Sequence, residues 1–197
     1  MSFRAVDEGG WRLATIGLVV ACVTGLVASG SLVVGEVAVT ETLNALPRPV
    51  IDALGVVMQL GTRPAILLMA VVAAVVTPGD WRRVALTVVA AGALSWLASD
   101  LAKELVERPR PGGFAADVVV SDHTTGFGWP STHTAIAAGS LSAAALGSRR
   151  SLLPAILVAG VVGVARMAVG VHLPLDVIGG LALGVAIAAA VVAAVDR

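Results

Sequence analysis

From Leu13 to Val34 the chain runs about 22 residues without one Asp, Glu, Lys or Arg. About 20 apolar residues in an α-helix span the hydrocarbon core of a bilayer. In lipid, backbone polar groups must be satisfied inside the structure, so a continuous apolar run of this length crosses as a helix. A cleaved secretory signal would have a basic start and a shorter apolar core. Here the start mixes Arg4, Asp7, Glu8 and Arg12, and the run is long, so it reads as a retained first span.

The remainder repeats the pattern. Charges and breakers separate further apolar blocks at 53–76, 84–102, 134–146, 152–169 and 173–195. In the block at 53–76, Gln59, Gly61, Arg63 and Pro64 interrupt, and the helix is expected to reach back towards Leu60. The segment 36–51, with Pro47 and Pro49, reads as a loop or interfacial piece. The block at 134–146 extends back to Ser131. The predicted fold is all-α, a polytopic bundle of six transmembrane helices in one domain over residues 1–197. Composition agrees: 57% of residues are hydrophobic and 13% charged, against about 25% charged in a soluble domain.

Several function classes are disfavoured. Thirteen basic and thirteen acidic residues give no net charge, and no basic stretch interleaved with aromatics suits nucleic acid. Cys22 is alone, so neither an internal disulfide nor a cysteine metal cluster is available. Arginine pairs fall in the short turns at 82–83 and 149–150, on the side of the termini. Positively charged short loops are retained inside. The termini are therefore expected in the cytoplasm of a plasma-membrane protein, with the polar loop 103–129 outside.

Ionisable residues beside apolar spans carry the chemical information. Lys103 and Arg110 are seven apart and would converge on one face if the third span continued that far. A snorkelling lysine and a basic loop, common at span ends, are the alternative. Ser131, Thr132 and His133 open the fourth span, where unpaired N–H groups attract anions. A plain N-cap is the alternative. Arg166, His172 and Asp176 form the third group. Spacing i to i+4 puts His172 and Asp176 on one helix face, where the carboxylate fixes the tautomer and frees the other nitrogen for attack. Arg166 offers a planar fork to phosphate oxygens. The alternative is a His–Asp pair that anchors a span end.

Together these residues make an oxyanion cage with a nucleophile and an acid, as phosphoryl transfer requires. Two histidines and an aspartate also suggest a metal. Three neighbouring cations would repel a divalent ion and do its neutralising work, so no metal or other cofactor is expected.

The three groups resemble the motifs of the type 2 phosphatidic acid phosphatase superfamily, whose site is shared with vanadium haloperoxidases. Lys103 to Arg110-Pro111 is similar to the first motif, Pro130-Ser131-Thr132-His133 to the second, and Arg166 to His172 to Asp176 to the third. The motif-bearing part is 100–180. The resemblance implies that His172 attacks phosphorus, Asp176 orients it, and His133 protonates the leaving oxygen. It implies that Lys103, Arg110, Ser131, Arg166 and a backbone N–H near Thr132 hold the phosphate. Two positions depart from the pattern: Thr132 stands for a glycine, and Ala165 for a serine. His123 matches no motif and reads as a surface histidine. Glu104, Glu107 and Arg108 read as solvated loop charges or mutual pairs.

The implied activity is hydrolysis of a lipid phosphate or polyprenyl diphosphate at the outer membrane face, through a phosphohistidine. By analogy with small bacterial members, a polyprenyl diphosphate such as undecaprenyl diphosphate comes first. A phosphotransferase would share the chemistry. A channel or transporter would scatter its polar residues through mid-helix positions, whereas here they cluster at span ends. The haloperoxidases are soluble, which the mean hydropathy of +0.94 opposes.

Overall fold

A computed structural model describes residues 3–30, 32–122 and 124–196, with side chains from Gly9 onward. His123, the histidine outside the motifs, lies outside the described residues. The described chain is all-helical: α1 Phe3–Gly30, α2 Glu36–Asn44, α3 Arg48–Met58, α4 Arg63–Val75, α5 Trp81–Val106, α6 Thr132–Gly147, α7 Leu153–Ala168 and α8 Pro174–Val195. Short 3-10 turns occupy Gln59–Gly61 and Pro111–Gly113.

Among the described residues, three helices are long and apolar enough to cross a membrane, in α1, α5 and α8. The pair α3 and α4, bent by 76°, adds a fourth if counted as one span. The expected count of six also includes α6 and α7. Each has 16 residues, a rise of about 24 Å. A belt of exposed apolar side chains, including Leu26, Leu68, Val71, Leu86, Leu101 and Leu157, is solvated by lipid tails rather than water.

Two sequence expectations fail in the first half. Of the two readings of segment 36–51, loop or interfacial piece, the loop is the one that fails: the segment holds all of α2 and the start of α3. Pro47 is the N-cap of α3 and Pro49 sits in its first turn, where its missing N–H costs nothing. Nor does α4 reach back to Leu60. The chain bends sharply at Thr62, and α4 starts at Arg63 with Pro64 in its first turn. Ile51 and Met58 on α3 pack against Ala165, Ala168, Val169 and Val171 at the end of α7. The bent piece therefore lids one end of the bundle.

Helices α6 and α8 form the centre. Small residues bring their backbones together. A β-carbon added at Gly180 would lie 2.6 Å from the Ser131 carbonyl oxygen, and one at Gly184 would lie 2.5 Å from that of Ala135. Both are below van der Waals contact. Gly184→Val is therefore expected to destabilise the bundle by about 1–3 kcal/mol through overpacking, read as a lower Tm in detergent. An unchanged Tm would mean that the two helices are not this close.

The two ends of the bundle differ. At one, Arg83 pairs with Asp196 at 2.7 Å and Arg150 donates to the Val76 carbonyl. The other end carries α2, α3 and the long loop 107–131.

Candidate active site

Helix α5 delivers Lys103 in its last turn and stops when Glu107 turns left-handed, at φ 50°. Arg110 therefore does not share a helical face with Lys103, as the seven-residue spacing suggested. It reaches the same place from the loop. Lys103 is buried and donates to the carbonyls of Pro130 at 2.6 Å and Gly128 at 3.3 Å. Arg110 donates to the Val171 carbonyl at 2.9 Å and the Gly126 carbonyl at 3.0 Å. These bonds fold the loop back over the bundle end. Asn44 of α2 pins its middle, with bonds to both backbone groups of Val119 and to the Ala168 carbonyl.

His172 lies two residues before α8, not on it. Its pairing with Asp176 comes from half a capping box, not from a shared helix face. Asp176, in the first turn of α8, reaches back, and Oδ2 accepts from the Leu173 N–H at 2.9 Å and pairs with His172 Nδ1 at 3.2 Å. Asp176 is fully buried and His172 2% exposed. Burial, first, and then the nearby Lys103 and Arg110 push the His172 pKa down to about 3, against the opposing pull of Asp176. The imidazole is thus neutral near pH 7. With Nδ1 turned to the carboxylate, Nε2 faces Arg110 Nη1 at 3.3 Å.

A pocket of about 700 Å³ opens here. Lys103, Arg110, Thr132, His133, Arg166 and His172 line it. Six of the eight residues singled out from sequence thus share one wall. Asp176 stands behind His172. Ser131 also stands behind the wall: it is fully buried, and its hydroxyl accepts from Thr134 Oγ1 at 2.9 Å. Ser131 holds the N-cap position of α6 but makes no side-chain cap. The first N–H groups of α6 are left open to an anion. Thr132 Oγ1 and Arg166 Nε are buried without a hydrogen-bond partner among the described residues. Arg166 Nη1 bonds Asp122 and Met58 Sδ. Ala165, the other departure from the motif, packs into the apolar cluster of Ile51 and Met58 and does not line the pocket. The turn at Gly61 closes against His133, where an added β-carbon would lie 2.5 Å from the His133 carbonyl oxygen. On the rim, Arg63 stacks over Trp96 at 4.1 Å, and Asp100 and Glu104 face the opening.

Three partners were not found from sequence. Arg108 is 2% exposed, not a solvated loop charge, and its guanidinium bonds both Glu36 and Asp176. Glu36 is 5% exposed. Its signal was available: it is the first charged residue after Arg12 and directly follows the first span, where an ionisable group asks for a partner. Asp122, which holds Arg166, had no distinguishing signal in a polar loop.

Known proteins show the family and the fold. The family model described as the PAP2 superfamily matches residues 81–197, more than half of the chain. No curated protein matches the sequence. Among solved structures, a transmembrane PAP2 type phosphatidylglycerolphosphate phosphatase from Bacillus subtilis is similar, with a TM-score of 0.70 at 21% identity. The match covers 92% of this chain and 93% of that one, so the two share a fold along nearly their whole length. The chain is a membrane protein that belongs to the PAP2 superfamily.

Proposed function

We propose that the protein hydrolyses a lipid phosphate or polyprenyl diphosphate, through a phosphohistidine at His172. The observation that carries this is the orientation of the imidazole: Nδ1 faces buried Asp176, and Nε2 faces a pocket lined by Lys103, Arg110 and Arg166. The Nε2 lone pair attacks phosphorus as the bond to the leaving oxygen breaks. His133 takes up a proton as the anionic phosphate enters beside it, and gives that proton to the leaving oxygen. The neutral His133 then takes a proton from water, whose oxygen attacks phosphorus, and the P–N bond breaks to release inorganic phosphate. The three cations, the Thr132 hydroxyl and the open N–H groups of α6 hold the equatorial oxygens. Ser131 supports that turn from behind.

The site lies at the end opposite the paired arginines of the short turns. By the inside preference of such turns, it faces the extracytoplasmic side of the plasma membrane. The rim, with exposed Leu101 and Leu105 nearby on α5, suits a substrate whose tail stays in lipid. Polyprenyl diphosphate is the first candidate. Phosphatidylglycerophosphate, which the similar Bacillus protein is named for, is the second, and phosphatidic acid the third.

The test is release of inorganic phosphate by purified protein in detergent from these three lipids and from p-nitrophenyl phosphate. A lipid is expected to be turned over faster than the soluble ester, and vanadate to inhibit as a mimic of five-coordinate phosphorus. No release from any substrate would overturn the reading. Transfer of label to an added acceptor lipid in place of water would make the protein a phosphotransferase.

A further inference from the structure

Behind the pocket runs a buried chain of charges that the proposed reaction does not use directly. Asp176 Oδ2 serves His172 and the Leu173 N–H. Its other oxygen, Oδ1, accepts from Arg108 Nη1 at 2.7 Å. The same guanidinium bonds Glu36 Oε2 from Nη2 at 2.5 Å and Oε1 from Nη1 at 3.3 Å. Glu36 in turn accepts from the Leu175 N–H at 2.9 Å and the Val33 N–H at 3.2 Å. All three charged side chains are 5% exposed or less. Arg108 does not line the pocket, so it cannot touch a substrate there.

We propose that Arg108, held by Glu36, is the positioning residue that fixes the Asp176 carboxylate behind the nucleophile. A carboxylate can turn about its own axis, and a buried one without a cation tends to take up a proton. Either event breaks the bond that sets the His172 tautomer. Arg108 prevents both by occupying Oδ1 and supplying charge, which leaves Oδ2 to the imidazole. Glu36 keeps the guanidinium from being an unpaired buried cation and ties α2 to the first turn of α8. Gly128 closes the remaining side: a β-carbon there would lie 3.1 Å from Asp176 Oδ2. The two arginines of Arg108-Pro109-Arg110-Pro111 thus bracket one pair. Arg110 meets His172 at Nε2, and Arg108 meets Asp176 at Oδ1.

The inference rests on His172 being the nucleophile, and the experiment separates the two. Arg108→Lys and Glu36→Gln are made in the full chain, alone and each with Asp176→Asn. Tm and gel-filtration profile are checked first. Loss of the tautomer-setting bond in a serine protease costs about 10⁴ in kcat, and a misplaced bond costs less. Arg108→Lys is expected to lower kcat about 10- to 100-fold, with KM within about threefold of the parent and vanadate affinity falling with kcat. Glu36→Gln, nearly isosteric, is expected to lower kcat several-fold by the same route. Each is expected to add little to Asp176→Asn, because residues acting as a unit are not additive. An unchanged kcat in a folded Arg108→Lys protein would overturn the proposal. So would effects that multiply fully with Asp176→Asn, or a KM raised in step with the loss of kcat. If Arg108→Lys fails to fold, Glu36→Gln decides by the same criteria. Turnover retained by folded His172→Ala would instead sink the assignment of the nucleophile.

Discussion

His172→Ala is expected to stop phosphate release, lowering kcat by about 10⁴-fold or more. The size follows from the geometry. Nδ1 is committed to Asp176 at 3.2 Å, which leaves the Nε2 lone pair as the one turned to the pocket. Burial keeps that nitrogen unprotonated, with the pKa held near 3. An alanine offers no such atom, and water cannot use the same position without a base behind it. The side chain is 2% exposed, so its loss also leaves a cavity and reduces the partners of a buried carboxylate, a cost of about 1–3 kcal/mol. Folding is therefore followed in parallel, by Tm and gel filtration in detergent. Brief reaction with ³²P-labelled substrate is expected to leave an acid-labile, base-stable label on the parent protein and none on His172→Ala. Label that disappears with His133→Ala but persists in His172→Ala would exchange the roles of the two histidines.

The residues of the wall were readable before the fold, because they are the ones an apolar chain does not tolerate without reason. Lys103, Arg110, His133, Arg166 and His172 were each conspicuous beside a span, and all five line one pocket. The paths that bring them together were less readable. The spacing of Lys103 and Arg110 pointed to one helix, but a left-handed Glu107 ends α5 between them. The i to i+4 spacing of His172 and Asp176 gave the right pair for the wrong reason, since the bond is made across a helix start. Arg108 was passed over because its meaning lies 72 residues upstream in Glu36 and 68 downstream in Asp176. No local pattern encodes a pairing of that range. In the same way, Pro47 and Pro49 were read as breakers, although a proline in a first turn starts a helix. Tertiary contact with the end of α7 stabilises that helix, and hydropathy along the chain does not report it.

Arg166→Ala is expected to lower kcat/KM by about 10³-fold, the loss of one preorganised cation from the transition state. Arg166 is 1% exposed, lines the pocket and has Nε without a partner among the described residues. One Nη1 is held by Asp122 and Met58 Sδ, which fixes the plane of the guanidinium while leaving donors for phosphate. The geometry makes the prediction more specific than removal of a charge. Arg166→Lys keeps the cation but loses the planar fork, and is expected to recover less than a tenth of the parent activity. Asp122→Asn keeps the arginine and one acceptor for it, and is expected to cost less than tenfold. Because the charge that Arg166 meets grows as the leaving bond breaks, the loss in Arg166→Ala should fall mainly on kcat and on vanadate affinity, and less on KM. A fall in affinity for lipid with kcat unchanged would place Arg166 in substrate capture. Equal activity in Arg166→Lys and the parent would show that the fork contributes nothing beyond its charge.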